Sequence, residues 1–205
     1  MRVAIFGGAG RVGSLLVSGA VASGYSATTL VREPLADRPG VTSIVGDVLD
    51  ESHVARVVQG ADAVLSALGA PSLEQPGKVL SGGMKTIARV MARHNLSRIV
   101  ALAGSGILDD SRGGLRHDQP EFPAMFKAIS LEHAGTWQAL KASGLDWTVV
   151  CATTLVSGSA PTRVRTGADQ LPAGGVEIGL ADVARFMLDE LTRRAFLKHR
   201  VGITW

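Results

Sequence analysis

The chain opens on an apolar run, Val3-Ala4-Ile5-Phe6, that passes straight into Gly7-Gly8-Ala9-Gly10-Arg11-Val12-Gly13 and leaves as a periodic apolar segment through Leu15, Leu16, Gly19 and Ala20. A strand, a glycine turn and a helix in that order separate a dinucleotide-binding fingerprint from a chance run of glycines. Gly7 permits the tight turn, Gly10 lets the backbone approach a pyrophosphate, and Gly13 lets helix and strand pack closely. Both spacings, Gly8-x-Gly10-x-x-Gly13 and Gly7-x-x-Gly10-x-x-Gly13, are present. The helix N-terminus then offers unpaired N–H groups and the positive end of its dipole to the phosphates.

The second half of the fingerprint concerns the ribose. Arg32 ends the segment Leu30-Val31-Arg32, nineteen residues after Gly13. An acidic residue at the end of the second strand would accept from the ribose 2′-OH of NAD, whereas an arginine pairs with a 2′-phosphate. Arg11 opens the first helix beside the same phosphate. The expected cofactor is therefore NADPH, with Glu33 next door keeping NADH open.

At 205 residues, 46% hydrophobic and 19% charged, the chain reads as one globular domain over 1–205. Cys151 is the single cysteine, so a disulfide framework and a cysteine metal site are excluded and a reducing compartment is expected. The five histidines and the carboxylates show no ligand spacing, so no metal is expected. The glycine turn and Arg11 interrupt any apolar signal core, and no uninterrupted apolar stretch reaches the roughly eighteen residues of a membrane span. A cytoplasmic protein, monomer or homodimer, follows. Net charge is only +3. Its dense basic cluster, Arg193, Arg194, Lys198, His199 and Arg200, falls at a helix end, where cations complement the dipole, and nucleic acid is not an expected partner.

Short runs rich in Val, Ala and Leu alternate with helical patterns, the mark of strands buried on both faces of a parallel sheet. Strands are predicted at 2–6, 26–31, 42–45, 62–66, 98–103, 146–151 and 200–204, and helices at 11–23, 51–59, 77–94, 124–143 and 180–192. Gly179 reads as the N-cap of the last helix, with Asp182 in a capping role. The fold class is α/β: a single Rossmann-type, doubly wound parallel sheet with helices on both faces. Right-handed crossovers place the carboxyl ends of the strands on one edge, where ligands bind. Two long irregular segments, 104–123 and 152–177, emerge there as walls of a substrate pocket. The first carries Arg112, Arg116, His117, Phe122 and Met125; the second carries Arg163 and Arg165 on one face of the alternating stretch Thr162 to Thr166. Such walls suit an anionic, flat, partly apolar substrate, the alternative being solvated loop charges. Trp137 and Trp147 read as core.

Gly7-Gly8-Ala9-Gly10-Arg11-Val12-Gly13, Val31-Arg32-Glu33-Pro34, Gly46-Asp47-Val48 and Ala61 through Gly69 recur in order with Glu132-His133, Leu140 through Thr148 and Ala181-Asp182-Val183-Ala184. Together they resemble the atypical short-chain dehydrogenase/reductase superfamily, in particular small NAD(P)H-binding proteins similar to biliverdin/flavin reductase and NmrA-like proteins. The resemblance implies that Asp47 and Val48 flank the adenine, while Ala67, Leu68 and Gly69 line the ribose and phosphate path. Asp47 can accept from an exocyclic amine, and small residues at a strand end let a cofactor lie on backbone.

The departures from that pattern are equally informative. Dehydrogenases of the superfamily carry Tyr-x-x-x-Lys on the helix after the fifth strand. Here the single tyrosine is Tyr25, and counting back from Leu140 and Ser143 puts His133 at the lysine position and Ile129 at the tyrosine position. Tyrosine-dependent alcohol oxidation, epimerisation and dehydration are disfavoured. Hydride delivery to a flavin or tetrapyrrole, as substrate rather than bound group, needs no positioned phenol, and quinones belong to the same class of conjugated acceptor. The protic groups left are Ser105, Thr153, Thr154 and His133, with Ser105, Thr154 and His133 the candidates for catalysis; His133 is expected to orient the nicotinamide ribose or loop backbone rather than to move a proton. Cys151-Ala152 stands where such proteins commonly have a proline after the sixth strand, a change at the pocket floor. The expected function is an NADPH-dependent reductase of flavins or related acceptors. The alternatives are a non-catalytic NADP(H) sensor of the NmrA-like kind and a sugar-nucleotide epimerase or dehydratase.

Overall fold

A computed structural model describes residues 1–34, 36–158 and 163–205. The chain runs β1 (Arg2–Phe6), α1 (Arg11–Ala22), β2 (Ser26–Val31), β3 (Val41–Val45), α2 (Glu51–Val58), β4 (Ala63–Ser66), α3 (Val79–Arg93) and β5 (Arg98–Gly104). It continues through α4 (Lys127–Lys141), β6 (Asp146–Ala152), β7 (Thr154–Val156), β8 (Arg165–Ala168), β9 (Glu177–Gly179), α5 (Leu180–Arg193) and β10 (Arg200–Thr204). The main sheet has the order β3-β2-β1-β4-β5-β6-β10-β8. Every pairing in it is parallel except β10 with β8, an antiparallel edge. Strand order reverses between β1 and β4, and the crevice beyond that switch point is where an open α/β sheet receives its ligand.

The apolar runs are continuous because both faces of the sheet are covered. Ala4, Phe6, Val64, Ile99, Ala101 and Val149 point to the core under α2, α3 and α4. Their neighbours Val3, Ile5, Ala63, Leu65, Val100 and Val150 point to the core under α1 and α5. Trp147 is buried in the first of these, and Trp137 packs against it.

Several expectations change. The segments 104–123 and 152–177 are not structureless. The first holds 3₁₀ turns at Ser105–Ile107 and Arg116–Asp118; the second supplies β7, β8 and β9, with β7 and β9 forming a separate two-stranded ladder. Asp182 does not cap α5: Gly179 stands at the N-cap without a side-chain bond, and Asp182 instead accepts from Trp205 Nε1 at 2.9 Å. The basic cluster is not a free patch either. Arg194 pairs with Asp146 and His199 with Asp169. Arg200 is buried, with its guanidinium 4.1 Å from the Trp137 ring centroid and bonded to Asp109 (2.8 Å) and Asp169 (3.2 Å). It ties the segment after β5 to the one around β8.

A second buried pair lies on the opposite face of the sheet, against α5. Arg98, at the start of β5, donates to Glu190 of α5 at 3.2 Å and to Thr148 of β6 at 3.0 Å. The Glu190 carboxylate also accepts from Thr148 Oγ1 (3.0 Å) and from the Phe196 N–H (2.9 Å), so the turn after α5 is stapled to two strands. Removing one member of a buried pair leaves an uncompensated charge, which costs about 3–5 kcal/mol. Arg98→Met is expected to lose that much in urea denaturation, and adding Glu190→Leu should recover part of it. A single variant within about 1 kcal/mol of the parent would show that the pair is not what holds α5 to this face.

Candidate active site

The glycine turn divides into positions the fold needs and one it does not. Gly7 has φ +82°, and a Cβ there would lie 2.3 Å from the Ala67 carbonyl oxygen. A Cβ on Gly8 would meet Thr29 Oγ1 at 2.1 Å, the same hydroxyl that donates to the Ile5 carbonyl at 2.9 Å. On Gly13 it would fall 1.9 Å from the Gly7 carbonyl oxygen. Gly10 differs: its φ is −76°, and its added Cβ would meet only the Gly7 oxygen, at 3.2 Å. That contact is close but far less severe than those at Gly7, Gly8 and Gly13, so crowding within the described residues demands glycine least at Gly10. Among the described residues nothing caps α1, whose N-cap offers no side-chain bond and whose first turn holds no acid, whereas α2 is capped by Asp50 on the Ser52 N–H at 2.8 Å. The first N–H groups of α1 therefore remain available to an anion.

From this turn a continuous line of groups follows the carboxyl ends of β3, β2, β1 and β4. Arg32, immediately after β2, and Arg11 are exposed, and neither has an ion-pair partner among the described residues. The Gly46 N–H donates to the Val31 carbonyl at 3.0 Å, tying the turn after β3 to the residue before Arg32. Asp47 is exposed, with one carboxylate oxygen accepting from the Leu49 N–H at 2.9 Å. Val48 is buried, against the helix face at Gly83. Beyond β4, Ala67 is buried, Leu68 half-buried, and an added Cβ at Gly69 would meet nothing within 4 Å.

The end of β5 is organised by α4. The Gly104 N–H donates to His133 Nδ1 at 3.0 Å, and the ring lies so close that a Cβ on Gly104 would be 3.1 Å from it. Burial lowers the His133 imidazole to about 4, so it is neutral, and with Nδ1 accepting its proton sits on Nε2. Its neighbour Glu132 reaches the other way, accepting from Ser81 N–H (3.1 Å) and Oγ (2.8 Å) and from Lys78 (3.4 Å). Burial alone would raise the Glu132 carboxyl, but these bonds hold it below its ordinary value. The Glu132-His133 pair thus caps α3 and anchors the exit of β5, and of these roles the capping by Glu132 has no signal in the sequence motif. Ile129 is buried. Ser105 begins the 3₁₀ turn after β5, half-buried, with no side-chain partner among the described residues. Thr154 is exposed at the start of β7, two residues past Ala152, the register partner of Gly104, and makes no side-chain bond to Ser105 or His133. Thr153 is held inward on the Ile203 carbonyl.

The expected cationic walls are largely neutralised. Arg112 is bound by Asp110 (2.9 Å) and Glu121 (2.8 Å). His117 is buried, and burial lowers its imidazole despite Asp118 nearby. It packs edge-on to Phe122, centroids 6.5 Å apart, and Phe122 roofs Gly106, where an added Cβ would lie 2.8 Å from its ring. Arg165 donates to the carbonyls of Trp205 (3.2 Å) and Ala173 (2.7 Å), a strand-edge clasp rather than a wall. Arg163 is exposed, and Thr162, which opens the alternating stretch, lies outside the described residues. Met125 is exposed. Cys151 is fully buried and its thiol is pushed up by burial. Among the described residues no cluster of metal-ligating side chains occurs, and no helix is long and apolar enough to cross a membrane.

A model of NAD(P)H-binding proteins matches residues 7–194. Phenylcoumaran benzylic ether reductase TP7 of Nicotiana tabacum is 25% identical over 189 residues, covering 86% of this chain and 56% of its own. The chain spans little more than half the length of the curated plant relatives it matches first. A candidate exported protein of Burkholderia pseudomallei is 27% identical with a TM-score of 0.86, all of both chains being covered. A candidate NADH-flavin reductase of Streptococcus pneumoniae TIGR4 superposes with a TM-score of 0.86 at 23% identity, covering 100% of this chain and 99% of its own, which shows the shared fold.

Two expectations follow from the geometry. Gly10→Ala should keep circular dichroism and melting temperature close to the parent while weakening dinucleotide binding in calorimetry, whereas Gly13→Ala should lower the melting temperature sharply. The second concerns His133. Because its folded value of about 4 lies below the ordinary 6.5, the unfolded chain binds more protons between them, and stability is lost as pH falls through that window. His133→Asn keeps an acceptor near the Nδ1 position and cannot protonate. Urea titrations across the window should show a shallower acid-side loss for it than for the parent.

Proposed function

This chain belongs to the NAD(P)H-binding family of atypical short-chain dehydrogenase/reductase-like proteins, and on that premise we propose that it is an NADPH-dependent reductase of a flavin or related conjugated acceptor. The observation that carries this reading is what occupies the acid/base positions at the end of β5: a buried isoleucine, Ile129, and a neutral, backbone-bound histidine, His133. Neither of these two side chains matches the phenol–lysine pair that delivers a proton to an alkoxide, so the acceptor is one whose extended conjugation takes up the electron pair, with water or a weak acid as proton source.

The roles of the chain's own residues follow. The open backbone at Gly10 and the free N–H groups of Arg11, Val12 and Gly13 would hold a pyrophosphate, and the turn at Gly7 sets their direction. Arg32, backed by Arg11, would pair with the 2′-phosphate. Asp47 would accept from the adenine amine, Val48 would pack on the ring, and Ala67, Leu68 and Gly69 would leave the path of the ribose and phosphates unobstructed. His133 Nε2–H and the Ser105 hydroxyl are the donors nearest the end of β5; Thr154 would approach from β7. When bound, NADPH supplies the hydride. The residues around it bind, orient and exclude water, so catalysis would rest on placement. The plant relative is named a benzylic ether reductase and the structural neighbour a candidate NADH-flavin reductase, and both names support reduction as the class of reaction. The acceptor is a small molecule; neither nucleic acid nor a membrane enters this reading, which places a monomer or homodimer in the cytoplasm.

The same lack of a proton donor would suit a non-catalytic NADP(H) sensor. Steady-state NADPH consumption with FMN, riboflavin, biliverdin and a quinone separates the two: turnover with at least one acceptor is expected, and tight NADP⁺ binding without turnover on any would replace the reductase by the sensor. Two variant results belong to the reductase reading. NADPH should bind tighter than NADH by about 1.5–3 kcal/mol, the scale of a charge-assisted contact, and Arg32→Ala should erase most of that difference. Alanine at Ser105, Thr154 or His133 should each reduce kcat by roughly tenfold or less, against 10²–10⁴ for removal of a true general acid. A thousandfold loss in the chemical step of His133→Ala, with NADPH affinity retained, would make His133 a proton donor and the placement account wrong.

A further inference from the structure

The turn after β3 is braced by a residue with no place in the fingerprint. His53, in the first turns of α2, accepts the Asp47 N–H on its Nδ1 at 3.2 Å. Its side chain lies against Gly46, where an added Cβ would fall 2.6 Å from Cγ and 2.9 Å from Cδ2. Gly46 in turn donates its N–H to the Val31 carbonyl at 3.0 Å, next to Arg32. One imidazole therefore sets the height of a glycine backbone, the direction of the Asp47 peptide and, through Gly46, the position of that turn against the end of β2. The side chain is one-third exposed, with Asp50 Oδ2 at 3.6 Å from the same nitrogen. Asp50 accepts from the Ser52 N–H and hydroxyl on its Oδ1, at 2.8 Å and 2.7 Å, while the Asp47 N–H is taken by the histidine.

The carboxyl end of β2 is where a doubly wound sheet receives the adenosine half of a dinucleotide, and the turn after β3 is its outer wall. From this geometry we infer that His53 is a positioning residue for the adenosine half of the cofactor, acting through Asp47 and Gly46. Its Nδ1 keeps the Asp47 carboxylate turned to the exposed edge and holds the Gly46 backbone low enough for a flat ring to lie beside it. Gly46 is glycine because the imidazole occupies the space of its side chain. The inference rests on the dinucleotide reading of the glycine turn and adds a residue that none of the matched motifs contains.

Asparagine places an amide oxygen near the Nδ1 position, and alanine places nothing there. Calorimetric titration of the parent, His53→Ala and His53→Asn with NADPH and with 2′,5′-ADP, which carries the adenosine half alone, tests the inference. His53→Ala should weaken both by the same factor, roughly three- to tenfold, the worth of one hydrogen bond. His53→Asn should return both to within about twofold of the parent, and the NADPH-to-NADH preference set by Arg32 should be the same in all three. Parent-like 2′,5′-ADP affinity in His53→Ala overturns the inference. So does an equal loss in His53→Asn, which would assign the effect to the ring and not to the accepting atom. Failure of the parent itself to bind either ligand overturns the dinucleotide reading and this inference with it.

Discussion

The approach of α1 to β1 is the contact on which the rest of the molecule depends. The Gly7 carbonyl accepts the Gly10 N–H at 2.9 Å and stands where a side chain on residue 13 would have to be, so helix and strand meet backbone to backbone. On the other side of the same turn, the Ala67 carbonyl occupies the place of a Gly7 side chain. Three chain segments therefore converge with no side chains between them. That convergence sets β1 between β2 and β4 and puts the end of α1 over the crevice where strand order reverses. Glycine is demanded by φ at position 7 and by crowding at 8 and 13. At Gly10 φ is ordinary and an added Cβ would make one close contact, at 3.2 Å with the Gly7 oxygen, so the fold constrains this position least.

The second centre, at the end of β5, works by anchoring. Glu132 and His133 leave α4 in opposite directions, one capping α3 and the other receiving the Gly104 N–H, so a single helical turn locks two elements that border the crevice. A histidine held neutral by burial is well suited to that task, since protonation would destroy the acceptor it uses. The price is that the position cannot serve as the cation that lowers a phenol's pKa, and there is no phenol at residue 129 to lower. Structure and chemistry point the same way, toward a site that orients its reactants.

The alternation of apolar runs and helical patterns made the seven parallel strands readable, because residues such as Ile5 and Phe6 are adjacent in sequence yet buried on opposite faces. The glycine turn was readable because its constraints are local. What escaped was set by distant partners. β8, Arg165-Thr166-Gly167-Ala168, is polar and exists because Ile203 and Thr204 pair with it from the far end of the chain. The charges of the long connections looked free because nothing in their spacing shows that Arg112 folds back on Asp110 and Glu121, or that Arg200 lies beneath Trp137. A lone histidine on a short helix gives no sign that its ring rests on a glycine seven residues earlier, so His53 became visible only in three dimensions. The candidate cofactor residues, in contrast, fall along one edge because each ends a strand or opens a helix.

The most direct measurement is a crystal structure of the protein with NADP⁺ bound. The account requires the pyrophosphate over Gly10 on the N–H groups of Arg11 to Gly13, the 2′-phosphate on Arg32, and the adenine beside Asp47 and Val48. A nucleotide found elsewhere, for instance in the cleft of about 320 Å³ that Arg2, Ser26, Thr28, Thr42 and Gln59 line at the amino-terminal edge of the sheet, or one that leaves the space above Gly10 unused, would contradict it.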